Sequence, residues 1–379
     1  MRKEADWEMK QVDAAAINKL EKETDISRLT AEVLARRGFT SPGEVKSFLE
    51  YGPADLHDPY KLAGINQAVA RIRQAIGRQE KIVIYGDYDV DGITSTALLV
   101  DYFERLGANM DYYIPNRLEE GYGLNKLALD QLAEEEAGLI ITVDCGIKAH
   151  EEIDYLYQLG LEAVVTDHHT PSEDKLKAEA VINPKQAGDD YPFTELSGVG
   201  VAFKLAQAVA QDSEAAAGVD LLASYLPLAA LGTVADIVPL HGENRVITGC
   251  GLKRLNGLAN NDHPGLAALK NVAGFGERQV KAGNISYQLA PRINAAGRLG
   301  EPETAVKLLL AEDYFTAQQL SNRLNRLNDE RKEIADRIFK EAEAAIRGID
   351  LQEERVIVLA SPNWHAGVIG NVASDLQEK

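Results

Sequence analysis

The chain has 379 residues, 45% hydrophobic and 26% charged, which is ordinary for a soluble globular protein of two or three domains. Its 40 Lys+Arg against 59 Asp+Glu leave a net charge of -19, which argues against nonspecific polyanion binding over the whole surface but does not exclude a local basic channel. The two cysteines, Cys145 and Cys250, imply no disulfide framework, and neither a signal-peptide core nor an apolar run of membrane-spanning length is present, so a cytoplasmic, non-membrane protein is expected.

Residues 1–60 read as a polar helical extension, with helix starts at Asp25-Ile26-Ser27 and Thr40-Ser41-Pro42-Gly43. From there short apolar strands alternate with amphipathic helices. Helix Ala68–Arg78 precedes a strand at Ile82, and helix Thr94–Leu106 precedes the strand Asp111–Pro115. Helix Lys126–Glu136 leads to a strand at Leu139, and helix His150–Leu159 to one at Ala163. The alternation predicts an α/β fold with a mainly parallel sheet. Helical segments follow at Gly198–Leu205 and Leu221–Leu231, and residues 312–347 carry Leu320, Leu324, Leu327, Ile334 and Ile338 at helical spacing. That long helix packs one stripe on the body and links two units. A strand at Arg355–Ala360 opens a second α/β unit, and the roughly 30 residues of it present are too few to bury a core of their own. The expectation is therefore an N-terminal piece of a longer protein, divided into a helical extension (1–60), an α/β domain (61–311), a linking helix (312–348) and the start of a second domain (349–379).

Three of the strands end in the same chemistry. Ile82-Val83-Ile84-Tyr85 runs into Asp87, Asp89 and Asp91, Leu139–Val143 into Asp144, and Ala163–Thr166 into Asp167, His168 and His169. Ligands of open parallel sheets bind beyond the carboxyl ends of the strands, and carboxylates this close repel unless a cation neutralises them or they take up protons. A polynuclear metal site follows. Hard divalent cations prefer carboxylate oxygen and imidazole favours transition metals, so mixed Asp/His ligation favours Mn2+ over Mg2+. Two such ions about 3.5–4 Å apart activate a water for attack on a phosphodiester. Asp236, the single carboxylate in Leu231–Val238, needs a partner if it is buried and ionised. The Asp-x-Asp-x-Asp-Gly start suggests an EF-hand, but the twelfth position holds Leu98 where a bidentate Glu belongs. A dinucleotide fold is excluded too, since no G-x-G-x-x-G follows the first strand. A turn built on Asx bonds remains the bland reading of the aspartate trio, and a helix cap or core pair that of the histidines.

Four segments resemble the motifs of the DHH phosphoesterase superfamily. They are Tyr85–Gly92, Val143–Gly146, Asp167-His168-His169 and Thr233–Asp236. Ile114–Arg117, Gly121–Leu124, Ser197–Gly200 and Arg292–Arg298 are similar to its RecJ branch of 5′→3′ single-strand-specific DNA exonucleases, and Asn363–Gly370 resembles the start of the associated DHHA1 domain. The resemblance implies metal ligands at Asp89, Asp91, Asp144, His168 and Asp236, with Asp87 beside or within the metal set and two ions of Mn2+ or Mg2+. It implies catalytic roles for His169, Asp144 and Asp167. Phosphate or substrate contacts are expected from Arg117, Arg292, Asn294, Arg298 and His365, with the arginines in glycine-containing loops. Arg323, Arg326, Arg331 and Lys332 read as a solvated helix face. The expected function is release of 5′-mononucleotides from single-stranded DNA in repair and recombination, alongside a helicase or a single-strand-binding protein. Two alternatives stand beside it, a sibling phosphodiesterase of short oligonucleotides, cyclic dinucleotides or pyrophosphate, and a non-catalytic replication scaffold.

Overall fold

The computed structural model describes residues 8–211, 219–347, 349 and 356–377. The N-terminal extension forms three short helices, α1 (Ala14–Glu23), α2 (Arg28–Arg36) and α3 (Pro42–Leu49). Ser27 caps α2, and Ser41 with Glu44 forms a capping box on α3, so both helix starts expected from the sequence are used. These helices close on their own small core of Ile17, Leu20, Leu34 and Val45.

The body begins with α4 (Ile65–Arg78), followed by β1 (Lys81–Gly86), α5 (Val90–Arg105), β2 (Asn109–Tyr113), α6 (Lys126–Glu134), β3 (Ala137–Val143), α7 (His150–Gln158), β4 (Glu162–Thr166) and β5 (Ala180–Ile182). The five strands are all parallel in the order β2-β1-β3-β4-β5. Alternate residues of each strand face opposite layers. Ile82, Ile84, Leu139 and Ile141 pack into the large core shared with α4, α5 and the helices that follow, whereas Val83, Tyr85, Ile140 and Val165 pack under α6 and α7. The chain leaves β1 towards β2 on one side and returns to β3 on the other. That reversal opens a crevice at the carboxyl ends of β1 and β3.

Two boundaries differ from the sequence expectation. Helix α5 starts at Val90 rather than Thr94, because Asp89 caps it through Asp91 N and Gly92 N at 2.8 and 3.1 Å. Strand β2 stops at Tyr113, before the N–H-less Pro115.

A helical second half packs over the α4–α5 face: α8 (Gly198–Gln211), α9 (Leu221–Ala235), α10 (Gly242–Gly257), α11 (Pro264–Val272) and a helical run of α12 (Ala282–Asn284), a π-helical turn Ile285–Leu289 and α13 (Ala290–Arg298). Helix α14 (Pro302–Leu309) leads to the 33-residue α15 (Tyr314–Ile346), the long helix expected from periodicity. Helix α16 (Ala366–Gln377) packs Val368 and Val372 on Ile338 of α15. Residues 356–360 form no strand, which corrects the expectation for Arg355–Ala360, although Arg355 lies outside the described residues. Val356 and Val358 are exposed, with no neighbouring strand among the described residues to pair them. No described helix is long and apolar enough to cross a membrane.

Candidate metal centre

Each acidic side chain reaches the crevice for a local reason. After β1, Asp87 turns inward and is buried, and the next turn becomes the N-terminus of α5 with Asp89 as its cap. Asp91 is carried back under the crevice, where its two oxygens accept from Gly198 N at 2.6 Å and Val199 N at 2.8 Å. The amide end of α8 thus fixes this carboxylate in place. After β3, Asp144 adopts a left-handed φ of 60°, an uncommon conformation that Asp tolerates better than most residues, while its N–H stays bonded to Thr166 O at 3.1 Å. Asp236 is the C-cap of α9 rather than a residue within it, so it emerges from the apolar helix with its carboxylate half-buried.

His168 is the hub. Its Nε2 lies 3.1 Å from Asp144 Oδ1, 3.6 Å from Asp236 Oδ2 and 3.9 Å from Asp91 Oδ2. Ligand atoms within 4.8 Å of one another form three overlapping sets: Asp87, Asp89 and Asp144; Asp91, His168 and Asp236; and Asp144, His168 and His169. All six metal-ligand candidates therefore meet in one place, which the bland readings of turn, cap and core pair do not account for.

Asp167 stands apart from these sets. Its Oδ1 accepts from His168 N at 2.7 Å, His169 N at 3.0 Å and His169 Nδ1 at 2.8 Å, and its Oδ2 accepts from Ile147 N at 3.0 Å. Both oxygens are committed to holding the loop, which makes it a positioning residue. His169 remains 46% exposed at the mouth, beside the Tyr122 ring, whose hydroxyl donates to Asp144 O at 3.1 Å.

The electrostatics point to a cation. Asp87 Oδ1, Asp144 Oδ1, Asp236 Oδ2 and His168 Nε2 are buried with no hydrogen-bond partner. Native interiors rarely leave so many lone pairs unmatched at one point. Burial, reinforced by Asp89, pushes the Asp87 carboxyl up to about 7 and that of Asp236 up to about 6. Asp91 and Asp144 are raised well above the carboxylate range by burial and by neighbouring carboxylates. Burial lowers His168 to about 4, so its imidazole is neutral and able to ligate. The hydrogen bond to Asp167 raises His169 instead, and although burial alone would push Asp167 up, its bonds to His169 bring it below the ordinary value. Buried carboxylates in this number with a neutral imidazole fit a hard or borderline divalent cation, which supplies the missing partner for these carboxylate oxygens and for His168 Nε2.

The basic residues divide. Arg117, in the turn after β2, has its guanidinium 5.2 Å from the centre of the Tyr88 ring. Arg298 ends α13 and donates to Gly367 O at 3.1 Å, and it is depressed by burial and by the charges of Arg117 and Arg331. Arg292 and Arg298 thus belong to a helix, not to a glycine-containing loop, because Pro291 sits in the first turn of α13 and Gly297 packs against Tyr88 O. Arg292 donates to Asn325 Oδ1 at 3.0 Å and to Gln288 O, tying α13 to α15, and Asn294 is half-buried on α13. His365 Nδ1 accepts from Gly367 N at 3.2 Å at the start of α16. Arg331 departs from the solvated face expected for it. Its Nε is buried without a partner, whereas half-buried Arg323 pairs with Glu301 and exposed Lys332 with Asp329. Among the described residues none of Arg117, Arg298 and Arg331 has a carboxylate within ion-pair distance. Arg331 was not distinguishable in sequence from its solvated neighbours.

Residues 81–233 match the model of the DHH family, N-terminal domain. The chain is 41% identical over 375 residues to the single-stranded-DNA-specific exonuclease RecJ of Bacillus subtilis (strain 168), covering 98% of this chain and 46% of that protein. It is similar to the crystal structure of an exonuclease RecJ bound to manganese, with 38% identity, a TM-score of 0.74, and 84% of this chain and 78% of the other covered. The Thermus thermophilus RecJ structure in complex with Mn2+ aligns at a TM-score of 0.80 and 33% identity, covering 97% of this chain and 51% of that one. The chain spans about half the length of the B. subtilis relative.

Proposed function

The chain belongs to the RecJ branch of the DHH family, and from that premise we propose that it hydrolyses single-stranded DNA from the 5′ end, releasing 5′-mononucleotides, with two divalent cations of manganese or magnesium. The single observation that carries this is the convergence of five aspartates and His168, with Asp87, Asp144, Asp236 and His168 each presenting a buried, unpartnered polar atom, at the reversal point of the parallel sheet. Asp87, Asp89, Asp91, Asp144, His168 and Asp236 would hold the cations. When bound, such ions acidify a water and neutralise charge developing on a phosphoryl group.

The chain's own residues do the rest. Gly198 and Val199 amides fix Asp91, and Asp167 fixes the His168–His169 loop. His169, charged more readily than a free imidazole and turned to the mouth, hydrogen-bonds a phosphoryl oxygen. A cavity of about 380 Å3 beside it, lined by Tyr122, Leu124, Ile147 and Lys148, gives room for a nucleotide. Side-by-side assays of labelled single-stranded DNA, dinucleotides and pyrophosphate with Mn2+ test the reading. Preference for dinucleotides or pyrophosphate would replace it with the sibling-hydrolase alternative, and inertness towards all three would favour the scaffold. Repair and recombination, a helicase or single-strand-binding partner, a cytoplasmic location and the four-part division of the chain belong to the same proposal.

Arg117, with Arg298 and Arg331 beside it, is the reader of the terminal phosphate. Burial and the charges of Arg117 and Arg331 depress Arg298, and an anion bound there relieves it. Wild type should prefer a 5′-phosphorylated oligonucleotide over its 5′-hydroxyl counterpart by roughly tenfold or more, the worth of one charge-assisted contact. Arg117→Ala should erase that preference, measured as the ratio of kcat/KM values. A mutant retaining the ratio would make Arg117 a purely structural partner of Tyr88.

Gly198 offers a second check. A Cβ there would lie 2.7 Å from both Cβ and Oδ1 of Asp144, whose backbone is pinned to Thr166. Gly198→Ala should therefore displace the carboxylate and weaken Mn2+ binding roughly 10–100-fold, as losses of supporting groups around metal ligands do. Calorimetric titration reads this directly, and unchanged affinity would remove Asp144 from the ligand set.

A further inference from the structure

Strand β5 brings a residue to the crevice that no motif marks. Ile182 pairs with Thr166 of β4, so the chain after β5 runs beside the Asp167-His168-His169 loop. The fully buried Asn183 clamps the two together, its Nδ2 donating to His169 O at 2.9 Å and its Oδ1 accepting from Lys185 N at 2.9 Å. Asp167 N closes the register on Ile182 O at 3.1 Å. Lys185 is thus held, half-buried, on a braced turn at the rim, and its charge bears on both Asp236 and His168. Among the described residues its ammonium has no carboxylate within ion-pair distance, although five carboxylates lie in the crevice below.

The charge balance shows what such a lysine can do. Even with two divalent cations bound, five ionised carboxylates leave roughly one net negative charge. His169 adds nothing net, being matched by Asp167. A phosphodiester entering this site brings a further negative charge, which grows during displacement. Cations positioned where that charge develops lower the barrier, and those buried among fixed dipoles act most strongly.

We propose that Lys185 is a further catalytic residue, contacting a non-bridging oxygen of the scissile phosphodiester from the β5 side of the crevice, opposite the β1 aspartates. This rests on the phosphodiesterase reading above, and it assigns to the chain a substrate-charge partner independent of the arginines that read the 5′ end. Lys185 contributes at the cleaved bond rather than along the strand, so its effect appears in turnover and is shared by any phosphodiester, with or without a nucleobase.

The test uses wild type, Lys185→Met and Lys185→Arg, with saturating Mn2+, on a 5′-phosphorylated oligo(dT) and on bis(p-nitrophenyl) phosphate. Lys185→Met should lose roughly 10–100-fold in kcat on both esters, with Lys185→Arg recovering most of it. Mn2+ affinity by calorimetry should hold or tighten in Lys185→Met, because a cation beside Asp236 and His168 opposes metal binding. A merely structural lysine moves the other way, weakening Mn2+ binding and melting temperature together. Wild-type turnover in Lys185→Met, or a loss that excess Mn2+ restores, overturns the proposal. Wild type active on the small ester but not on DNA would sink the exonuclease reading while Lys185 is still decided on the small ester. Wild type inert on both overturns the two together.

Discussion

Asp144→Asn should abolish hydrolysis of single-stranded DNA while leaving the fold intact and the metal-free protein at least as stable as wild type. Asp144 belongs to two of the three overlapping ligand sets, and its Oδ1 is buried without a hydrogen-bond partner. Losing a shared ligand costs several kcal/mol of transition-state stabilisation, which at about 1.4 kcal/mol per decade is a thousandfold or more in rate. Asparagine tolerates the left-handed φ of 60° that most residues resist, so the backbone has no reason to move. The stability effect has the opposite sign. Burial and the Asp91 charge hold this carboxyl far above its ordinary pKa, so an ionised Asp144 without a cation is a source of repulsion. Removing the charge relieves it, an exchange of stability for function often found at active sites. Turnover on a 5′-phosphorylated oligonucleotide and thermal melts with and without Mn2+ read both halves. Wild-type turnover with unchanged Mn2+ content would remove Asp144 from the site, and a collapsed melt would make it a folding residue.

The strand-end chemistry was legible because a parallel strand announces itself as a short β-branched run and its ligand-bearing end is the next residue. Asp87 and Asp144 follow such a run directly and His168 follows one a single residue later, and they meet. Asp236 was legible by contrast, one carboxylate after an apolar stretch, though its place as a C-cap was not. The supporting parts were hidden for physical reasons. Strand β5 has three residues, too short for periodicity to register, yet it positions Asn183 and Lys185. The amides of Gly198 and Val199 that hold Asp91 are backbone groups and leave no trace in side-chain pattern. The run Ala290–Arg298 reads as a loop from its Pro and Gly, but Pro in the first turn of a helix removes no needed hydrogen bond, and Gly297 serves close packing. Residues 356–360 show the converse, since β-propensity without a neighbouring strand makes no sheet.

The metal-free protein should become less stable as pH rises from about 5 to 8, and Mn2+ should reverse that trend. In the unfolded chain Asp87 and Asp236 lose their protons near 3.8, whereas in the fold burial and Asp89 hold them to about 7 and about 6. Between these values the folded state carries protons that the unfolded state has released, so its advantage is full below about 4 and is lost as pH climbs through the folded values. For Asp87 alone the span corresponds to an upper bound on the order of 4 kcal/mol. Asp91 and Asp144, also raised, act in the same direction. His168 works against it. Burial lowers its pKa from 6.5 to about 4, so it contributes stability above the unfolded value that is lost as pH falls, but one imidazole faces four carboxylates. A divalent cation changes the sign because it replaces those protons. Its binding should release them at pH 6 and release fewer at pH 8, and the melting-temperature gap between Mn2+-loaded and chelator-treated protein should widen as pH rises. Comparing the two forms subtracts every titration elsewhere in this acidic chain. Calorimetry in buffers of different ionisation enthalpy counts the protons. If the two melting curves run parallel from pH 5 to 8 and no protons are released, the carboxylates are ionised and matched without a metal. The crevice would then be a hydrogen-bonded structural cluster, and the proposed chemistry would lose the partner that its unmatched lone pairs require.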